Sequence, residues 1–378
     1  MKPYEKFVEN MLKAVREGQG KDPAAATALI HETLRNAGLM LGGAPSGPPP
    51  SARAPFVDLN GAPAWARGGA MPDGGAPFAD WRARFDGLRR RPHPATPDAP
   101  GTFLEGSFGN AAGTRRYRLY VPARAASGPR PLVVMLHGCQ QDAADFAAGT
   151  AMNRLAEDAG CLVLYPEQDR GANGSNCWNW FDAEHQRHGQ GEPSLIADMT
   201  REIVRTHGAD PRRVYVAGLS AGGAMAAVMG AAYPELYAAV GVHSGLPVGA
   251  ARDLMSGLHA MKGTPKGKRH ATLRRRVPLI VLHGDQDAVV HPSNGDALFR
   301  QFIHDGRLRE IEERGTTGTG RDHTRTTALD DAGNVVAEYW VVHGAGHAWA
   351  GGSPAGSYTD AAGPDASAEM LRFFLAQA

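Results

Sequence analysis

A serine between small residues is the feature of this sequence with the most direct chemical meaning. Ser220 lies in the pentapeptide Gly218–Gly222 (GLSAG), directly after the apolar run RVYVA and directly before the helical run AGGAMAAVMGAA. A strand, a tight turn and a helix in this order lift a serine hydroxyl above a sheet edge and need neighbours with almost no side chain. The pattern predicts that Ser220 is a nucleophile. The alternative is a serine that caps a helix in a glycine-rich turn.

Two backbone amides are predicted to complete the reaction centre. Attack of a serine on a carbonyl creates an oxyanion, which aimed N–H groups stabilise. One donor is the residue after the nucleophile, here Ala221, and the other comes from a loop after an earlier strand. The run PLVVMLHGCQQ contains a strand at Leu132–Leu136 followed by His137, Gly138 and Cys139. Because Gly138 permits a sharp turn, the Cys139 N–H is the predicted second donor, and His137 is interpreted as a structural residue of this loop.

An acid and a base are expected on loops after later strands, in the order serine, carboxylate, histidine. The run VPLIVLHG precedes Asp285 and Asp287, and we favour Asp287 because Asp285 is placed to bond within its own turn. The run VVAEYWVVHG precedes His347, which lies among glycines, whereas His343 belongs to the end of the strand. His347 is therefore predicted to deprotonate the serine, and Asp287 to orient and stabilise the imidazolium.

Short apolar runs alternate with helix-length segments in the part of the chain that contains these residues. Such alternation implies a mostly parallel sheet covered by helices on both faces. Ligand sites on these sheets lie at the carboxyl ends of the strands, where the candidate residues fall. The predicted strands are Leu132–Leu136, Leu162–Tyr165, Val214–Ala217, Ala239–His243, Leu279–Leu282 and Val335–Val342, and the predicted helices begin near Asp142, Ser194, Ala221, Ser293 and Asp365.

Together these motifs resemble the polyhydroxybutyrate depolymerase-like esterases, the short-chain polyhydroxyalkanoate depolymerases of the α/β-hydrolase superfamily. The resemblance covers the chain from about Thr102 to its end. It rests on five segments: LHGCQQ at Leu136–Gln141, CWNWF at Cys177–Phe181, GLSAGGAM at Gly218–Met225, HGDQDAVV at His283–Val290 and GAGHAWAGG at Gly344–Gly352.

The resemblance implies an α/β-hydrolase fold, the catalytic roles of Ser220, Asp287 and His347, and the oxyanion role of the Cys139 N–H. It implies that a tryptophan of the pair Trp178 and Trp180 lines the substrate cleft. An exposed loop with two tryptophans would give a polymer an apolar platform, whereas core packing beneath the loop is the alternative, and we expect one tryptophan in each role. The family pattern also suggests a bridge from Cys139 to Cys177, although nothing in the sequence indicates an oxidising compartment.

The chain before the predicted catalytic domain differs from it in composition. Apolar residues at helical spacing predict a small helical extension over residues 1–41. Residues 42–101 are rich in glycine, proline and alanine, which predicts an irregular linker. Residues 102–378 form the predicted catalytic domain. The extension is interpreted as a hairpin packed on that domain or as a docking element for a partner.

Composition excludes several classes of protein. The net charge of +1 gives no global attraction to nucleic acid or to anionic membranes, and no apolar run reaches the roughly 20 residues that span a bilayer. Motifs for phosphate, calcium or zinc binding are missing from the sequence, so we expect no metal and no cofactor. The first residues contain no continuous apolar stretch typical of a secretory signal. A cytoplasmic protein is the default expectation, and secretion is the alternative if a signal has been removed.

The sequence therefore predicts a serine carboxylic-ester hydrolase that cleaves poly(3-hydroxybutyrate) or its oligomers through an acyl-enzyme. The enzyme alternative is a general or aromatic-ester hydrolase, resembling feruloyl esterases or polyethylene-terephthalate hydrolases. The alternative from another class is a non-catalytic protein that binds a granule or a partner. The expected partner is thus an ester or polyester substrate, and the pattern does not indicate an oligomeric state.

Overall fold

The structure is a computed structural model that describes residues 99–124, 128–263, 273, 275–303, 307–316 and 320–377. The predicted extension over residues 1–41 lies outside these residues. Nearly all of the predicted linker over residues 42–101 lies outside them as well.

The described strands form one ten-stranded sheet whose spatial order is β1-β2-β4-β3-β5-β6-β7-β10-β9-β8. The six strands from β4 to β10 in this order are parallel, and antiparallel strands extend the sheet on both sides. The strands are β1 Thr102–Asn110, β2 Gly113–Val121, β3 Arg130–Leu136, β4 Leu162–Glu167, β5 Ala209–Leu219, β6 Ala239–His243, β7 Leu279–Gly284, β8 Arg309–Thr316, β9 Asp322–Leu329 and β10 Val335–Val342. A separate parallel pair joins β11 Trp349–Ala350 to β12 Thr359–Asp360.

Helices pack on the central strands, which explains why those strands are largely apolar. In β6 and β7 every residue is buried, as expected for parallel strands covered on both faces. The helices in the described residues are α1 Ala143–Thr150, α2 Met152–Ala159, α3 Gly191–His207, α4 Ala221–Ala232, α5 Leu254–Met261, α6 Ser293–Ile303 and α7 Ala366–Leu375. The mostly parallel sheet predicted from the alternating runs is confirmed.

Helix α4 approaches the sheet unusually closely because most of its residues are small. A Cβ at Gly223 would lie 3.0 Å from the His243 carbonyl oxygen, at the end of β6. All residues from Ala221 to Gly230 are buried. The close approach fixes the start of the helix, and with it the preceding serine, on the sheet.

The antiparallel margins differ more from the sequence expectations. Strands β1 and β2 form an antiparallel hairpin around the turn at Asn110–Gly113. Strands β8 and β9 pair antiparallel, from Arg309 with Leu329 to Thr316 with Asp322, and neither is among the strands predicted from the sequence. Strand β8 is almost entirely exposed at the edge of the sheet, where charged residues hinder pairing with another chain. Because most residues of β8 are charged or polar, the strand lacks the apolar–polar alternation by which a half-buried strand is recognised.

Candidate active site

Ser220 lies in the turn between β5 and α4, with φ 57° and ψ −118°. A non-glycine residue in such a sparsely populated conformation costs about 1–3 kcal/mol. The turn is tight because it packs on the end of β3. A Cβ at Gly218 would lie 2.6 Å from the Leu136 carbonyl oxygen, and a Cβ at Gly222 2.6 Å from the Leu136 carbonyl carbon. Both glycines of the pentapeptide are therefore required by packing.

The predicted acid and base are hydrogen bonded to each other. Asp287 follows β7 and His347 follows β10, and because these strands are parallel neighbours both loops leave the same edge of the sheet. His347 Nδ1 lies 2.7 Å from Asp287 Oδ2. The other carboxylate oxygen accepts the N–H groups of Val289 at 2.9 Å and Val290 at 2.8 Å. Since a carboxylate only accepts, Nδ1 carries the proton and Nε2 is the basic nitrogen.

The electrostatic environment keeps Asp287 ionised. Burial by itself would raise the pKa of this carboxyl group, but the charge of His347 and the hydrogen bonds from His283 and His347 outweigh it, and the pKa lies well below its usual range. His283 Nε2 lies 3.4 Å from Asp287 Oδ2 and 2.8 Å from the Val290 carbonyl oxygen. The sequence analysis gave His283 no role of its own, although it begins the HGDQD motif.

A second aspartate–histidine pair lies beside the first. His343 Nδ1 is 3.0 Å from Asp285 Oδ2, and Asp285 Oδ1 accepts the Gly344 N–H at 2.8 Å. His343 Nε2 lies 2.9 Å from Thr324 Oγ1 on β9. Asp285 was expected to bond within its own turn and His343 to pack in its strand. Instead Asp285 also reaches the neighbouring loop, and the His343 side chain is 42% exposed.

The loop after β3 offers one backbone amide that the protein does not use. The Gly138 N–H donates to Gln141 Oε1 at 3.0 Å. The Gln140 N–H donates to the Ser175 carbonyl at 2.8 Å, and the Gln141 N–H to the Gly138 carbonyl at 3.3 Å. In the described part of the chain the Cys139 N–H has no acceptor. This is the amide that the sequence analysis predicted as an oxyanion donor.

This loop contacts the turn that carries the serine. A Cβ at Gly138 would lie 3.7 Å from the Ser220 Cβ and 3.5 Å from the Leu219 carbonyl oxygen. Ala221, which carries the other predicted donor, is the first residue of α4. The first N–H groups of a helix have no carbonyl partner within it. The structure thus brings both predicted donor segments together at Ser220.

A side chain that the sequence analysis missed holds the oxyanion loop. Gln141 is buried, and its Nε2 donates to Asp145 Oδ2 at 2.9 Å and to the Ser357 carbonyl at 3.2 Å. The Ser357 hydroxyl also donates to Asp145. The same glutamine accepts the Gly138 N–H, so it joins the loop to α1 and to the segment before β12. Its place in LHGCQQ was the only available signal.

Two buried histidines near Ser220 are held neutral. His137 Nε2 accepts the Gln168 N–H at 3.1 Å, so Nδ1 carries the proton toward the Gly138 carbonyl at 2.8 Å. His243 Nε2 accepts the Ala350 N–H at 3.1 Å. Burial lowers the pKa of His137 and lowers that of His243 to about 3. His137 thus has the structural contacts expected of it, and neither histidine is a base for Ser220.

The tryptophan loop is joined to the oxyanion loop by a disulfide between Cys139 and Cys177. Trp178 is 0% exposed and packs 5.6 Å from the His137 ring, whereas Trp180 is 7% exposed and contacts Phe181. Both rings are thus buried, which agrees with the core packing that the sequence left open as an alternative, most clearly for Trp178. A place for either tryptophan at a substrate cleft stays a prediction.

A buried carboxylate sets the conformation of the tryptophan loop. Glu192 accepts both the backbone N–H of Asn179 at 2.7 Å and its side-chain amide at 2.8 Å. Gln168 and Arg115 also donate to Glu192, at 2.5 Å and 3.3 Å. Sequence reasoning missed this residue, because a glutamate in the first turn of a helix usually faces solvent.

Among the described residues, no cluster of three or more His, Cys, Asp or Glu side chains has an arrangement that would hold a metal ion. None of the helices described above is both long and apolar enough to cross a membrane. The groups near Ser220 are a hydroxyl, an imidazole bonded to a carboxylate, and the backbone amides of two neighbouring segments, a set that suits nucleophilic acyl transfer.

The fold agrees with that of solved structures. An acetyl xylan esterase from Aspergillus awamori superposes with a TM-score of 0.55 at 20% identity, over 73% of this chain and 100% of that one. An S-formylglutathione hydrolase from Agrobacterium tumefaciens superposes with a TM-score of 0.50 at 15% identity, over 74% of this chain and 96% of that one. The fold is that of the α/β hydrolases.

Sequence comparison defines the family. Residues 115–325, more than half of the chain, match the family described as Esterase PHB depolymerase, and the chain belongs to this family. Poly(3-hydroxyalkanoate) depolymerase C of Paucimonas lemoignei is 31% identical over 64% of this chain and 60% of that protein. A probable acetylxylan esterase A of Aspergillus fumigatus is 31% identical over 50% of this chain and 54% of that protein. The chain spans about half to three fifths of these relatives.

Proposed function

We propose that this chain hydrolyses carboxylic esters through an acyl-enzyme on Ser220, and that its substrates are poly(3-hydroxybutyrate) and its oligomers. The hydrogen bond of 2.7 Å between His347 and Asp287 carries the catalytic part of the proposal. It connects an ionised, buried acid to a histidine whose basic nitrogen is Nε2, on loops that leave the same sheet edge as the serine turn. Family membership and the depolymerase relatives support the substrate class.

The proposed reaction uses each of these groups in turn. His347 Nε2 removes the proton of the Ser220 hydroxyl as Oγ attacks the ester carbonyl, and Asp287 stabilises the imidazolium. The N–H groups of Cys139 and Ala221 donate to the oxyanion. The His347 imidazolium returns the proton to the leaving oxygen, and the alcohol is released. His347 Nε2 then removes a proton from water as the water oxygen attacks the acyl carbonyl, and that proton is given to Ser220 Oγ as the acid leaves. The products are an alcohol and a carboxylic acid, as the balance of atoms requires.

The test follows 3-hydroxybutyrate release from amorphous poly(3-hydroxybutyrate) and the hydrolysis of p-nitrophenyl butyrate, for the native chain and for Ser220→Ala. We expect both activities in the native chain and a loss of several orders of magnitude in the variant. Equal rates in the two proteins would overturn the role of Ser220. Hydrolysis of the soluble ester without polymer release would retain the mechanism and reject the polymer.

A second candidate substrate is an acyl or aromatic ester carried by a polysaccharide. Proteins named acetylxylan esterase A and feruloyl esterase B are 28–38% identical to parts of this chain. Acetylated xylan and methyl ferulate therefore belong in the same assay. A higher kcat/KM on either than on hydroxybutyrate oligomers would favour this second function. A granule-binding protein without catalysis is the remaining possibility, and the absence of hydrolysis of every ester would favour it.

The disulfide bears on the compartment in which the protein works. Disulfides persist in oxidising compartments and are rare in the cytosol. The bond between Cys139 and Cys177 therefore supports secretion over the cytoplasmic default. Thiol labelling of the protein from its native cells tests this: protection of both cysteines is expected, and complete labelling would overturn it.

A further inference from the structure

The outer aspartate–histidine pair, Asp285 and His343, spans the two loops that carry the proposed acid and base. Asp285 is two residues before Asp287, and His343 is four residues before His347. Asp285 accepts the His343 Nδ1–H at 3.0 Å and the Gly344 N–H at 2.8 Å. One carboxylate thus holds both a side chain and the backbone at the start of the histidine loop.

The peptide groups around Gly344 are restrained on several sides. Arg321 donates a hydrogen bond to the Gly344 carbonyl oxygen at 2.7 Å, and the Gly344 N–H donates to Asp285. Both backbone polar groups of Gly344 are therefore bonded to side chains. The Gln286 N–H donates to the Ala345 carbonyl at 3.0 Å. Gly344 has φ 71°, a conformation that glycine adopts without strain. The loop is therefore fixed residue by residue up to Gly346, directly before the proposed base.

We propose that Asp285 and His343 are positioning residues for ester hydrolysis, which set the orientation of the His347 loop relative to Asp287. This inference rests on the function proposed above. Neither residue needs to touch the substrate. Their action is geometric: with the outer pair intact, the histidine loop has one conformation relative to the acid, and without it the loop has several.

Stability alone does not account for the pair. Both side chains are partly exposed, 42% for His343 and 33% for Asp285. Partly exposed ion pairs contribute about 0–1 kcal/mol to folding. By contrast, misplacement of a reacting group by about 1 Å can lower a rate by about 100-fold. A pair that contributes little to folding but fixes the approach of a base should therefore affect kcat far more than it affects unfolding.

Two isomeric substitutions separate the roles of the imidazole nitrogens. In His343→Asn the amide nitrogen takes the place of Nδ1 and can donate to Asp285. In His343→Gln it takes the place of Nε2, near Thr324, and the contact with Asp285 is lost. Both side chains are polar, uncharged and compatible with the partly exposed position. The two variants thus test the hydrogen bond from the side chain at position 343 to Asp285 with little other change.

The matched control is Asp210→Ala, compared with Asp285→Ala. Asp210 also accepts one backbone N–H, from Arg212 at 3.0 Å, and one side-chain N–H, from Arg213 at 2.9 Å. It lies at the start of β5, at the opposite end of that strand from Ser220. Loss of Asp210 should therefore change stability without a change in kcat.

On p-nitrophenyl butyrate we expect Asp285→Ala and His343→Gln to lower kcat about 10- to 100-fold, with KM changed less than about twofold. His343→Asn should restore most of that loss. Equal kcat values for the Asn and Gln variants would overturn the proposal. So would a fall in kcat no larger than that of Asp210→Ala.

A spectroscopic measurement makes the result independent of turnover. The His347 Nδ1 proton, hydrogen bonded to Asp287, gives a far-downfield proton resonance. We expect this signal to broaden or shift in His343→Gln and to persist in His343→Asn. An unchanged signal in both variants would overturn the positioning role even if no ester were hydrolysed. Failure of the proposed function would instead appear as equal ester hydrolysis by the native chain and Ser220→Ala.

Discussion

The two sides of Ser220 are constructed differently. The oxyanion side comprises the loop at residues 137–141, the disulfide and the buried Gln141. Within this loop the Gly138 N–H is held by the neutral Gln141 side chain, which in turn donates to the Asp145 carboxylate. The acid–base side comprises the loops at residues 285–290 and 343–347, which two aspartate–histidine pairs join.

This difference follows from what each side does in the proposed reaction. A backbone donor has no charge to tune, and it needs only a fixed position when the oxyanion forms. A base must change its charge during the reaction, so a carboxylate has to be kept ionised beside it. Substitutions of the proposed acid and base themselves should therefore act mainly through charge, and those on the oxyanion side or in the outer aspartate–histidine pair through position.

The largest effect is expected for Asp287→Asn. An amide at this position cannot stabilise an imidazolium, and its NH2 group favours the His347 tautomer whose Nε2 is protonated and cannot act as a base. We expect kcat for p-nitrophenyl butyrate to fall on the order of 10,000-fold, with the fold retained. Asp210→Asn is the control for the loss of a carboxylate elsewhere. A larger loss in Asp285→Asn than in Asp287→Asn would reverse the assignment of the acid.

A smaller loss is expected on the oxyanion side, for Gln141→Leu. Leucine has a similar size but cannot accept the Gly138 N–H or donate to Asp145 and Ser357, so the Cys139 N–H is no longer aimed. Loss of one oxyanion donor lowers kcat by about 100- to 1000-fold, and we expect a fall of about 100-fold because the donor is displaced rather than removed. Steady-state kinetics on the soluble ester measures it.

The control for that variant is Gln301→Leu. Gln301 is also buried and bonds both backbone groups of Val248, at 2.9 Å and 3.0 Å. The variant Gln301→Leu should lower the free energy of unfolding about as much as Gln141→Leu does, and it should leave kcat near the native value. A comparable loss of kcat in both variants would mean that Gln141 matters only for stability.

Reduction of the disulfide should affect folding more than rate. The bond between Cys139 and Cys177 closes a loop with a sequence separation of 38, and such a bond contributes about 2–4 kcal/mol to the free energy of unfolding. Urea unfolding with and without a reductant measures this difference. The double variant Cys139→Ala, Cys177→Ala is the control, and the reductant should leave it unchanged. An equal effect of the reductant on the double variant would contradict this account.

The elements that sequence patterns predicted were those with a single physical requirement. Buried parallel strands such as β7 are largely apolar because helices cover them, and the pentapeptide around Ser220 needs glycines because β3 lies against it. These requirements are local or periodic, so the sequence displays them. They predict the α/β architecture and a candidate triad from the sequence alone.

Residues that act through long-range contacts were not predicted. Gln141 bonds Ser357 across 216 residues of chain, and Glu192 holds Asn179 from the start of a different element. Nothing in their neighbours along the sequence distinguishes them from solvated polar residues. Trp178 shows the converse, because a tryptophan in a loop can be a platform or a core residue, and only its burial decides. Contacts set by tertiary packing therefore cannot be predicted from local sequence patterns.

The smallest predicted effect concerns the neutral histidine beneath the acid–base side. Burial lowers the pKa of His243 to about 3 in the folded protein, whereas an unfolded histidine titrates near 6.5. The unfolded state therefore binds more protons between these values, and stability falls as pH decreases from about 6.5 toward 3, by up to about 1.4 kcal/mol per pH unit. In His243→Gln an amide oxygen can still accept the Ala350 N–H, and this slope should be lost.

Urea unfolding at pH 6.5 and at pH 5 measures the slope. We expect the native protein to lose up to about 2 kcal/mol more than His243→Gln over this interval. His188→Gln, at a histidine whose side chain is 63% exposed, is the control. His137→Gln should flatten the curve in the same direction, because burial also lowers the pKa of that histidine on the oxyanion side. Parallel curves for the native protein and His243→Gln would show that His243 is not held neutral. In that case the buried histidine beneath the acid–base side would carry a charge, whereas His137 on the oxyanion side is neutral. The difference between the two sides would then include these buried residues.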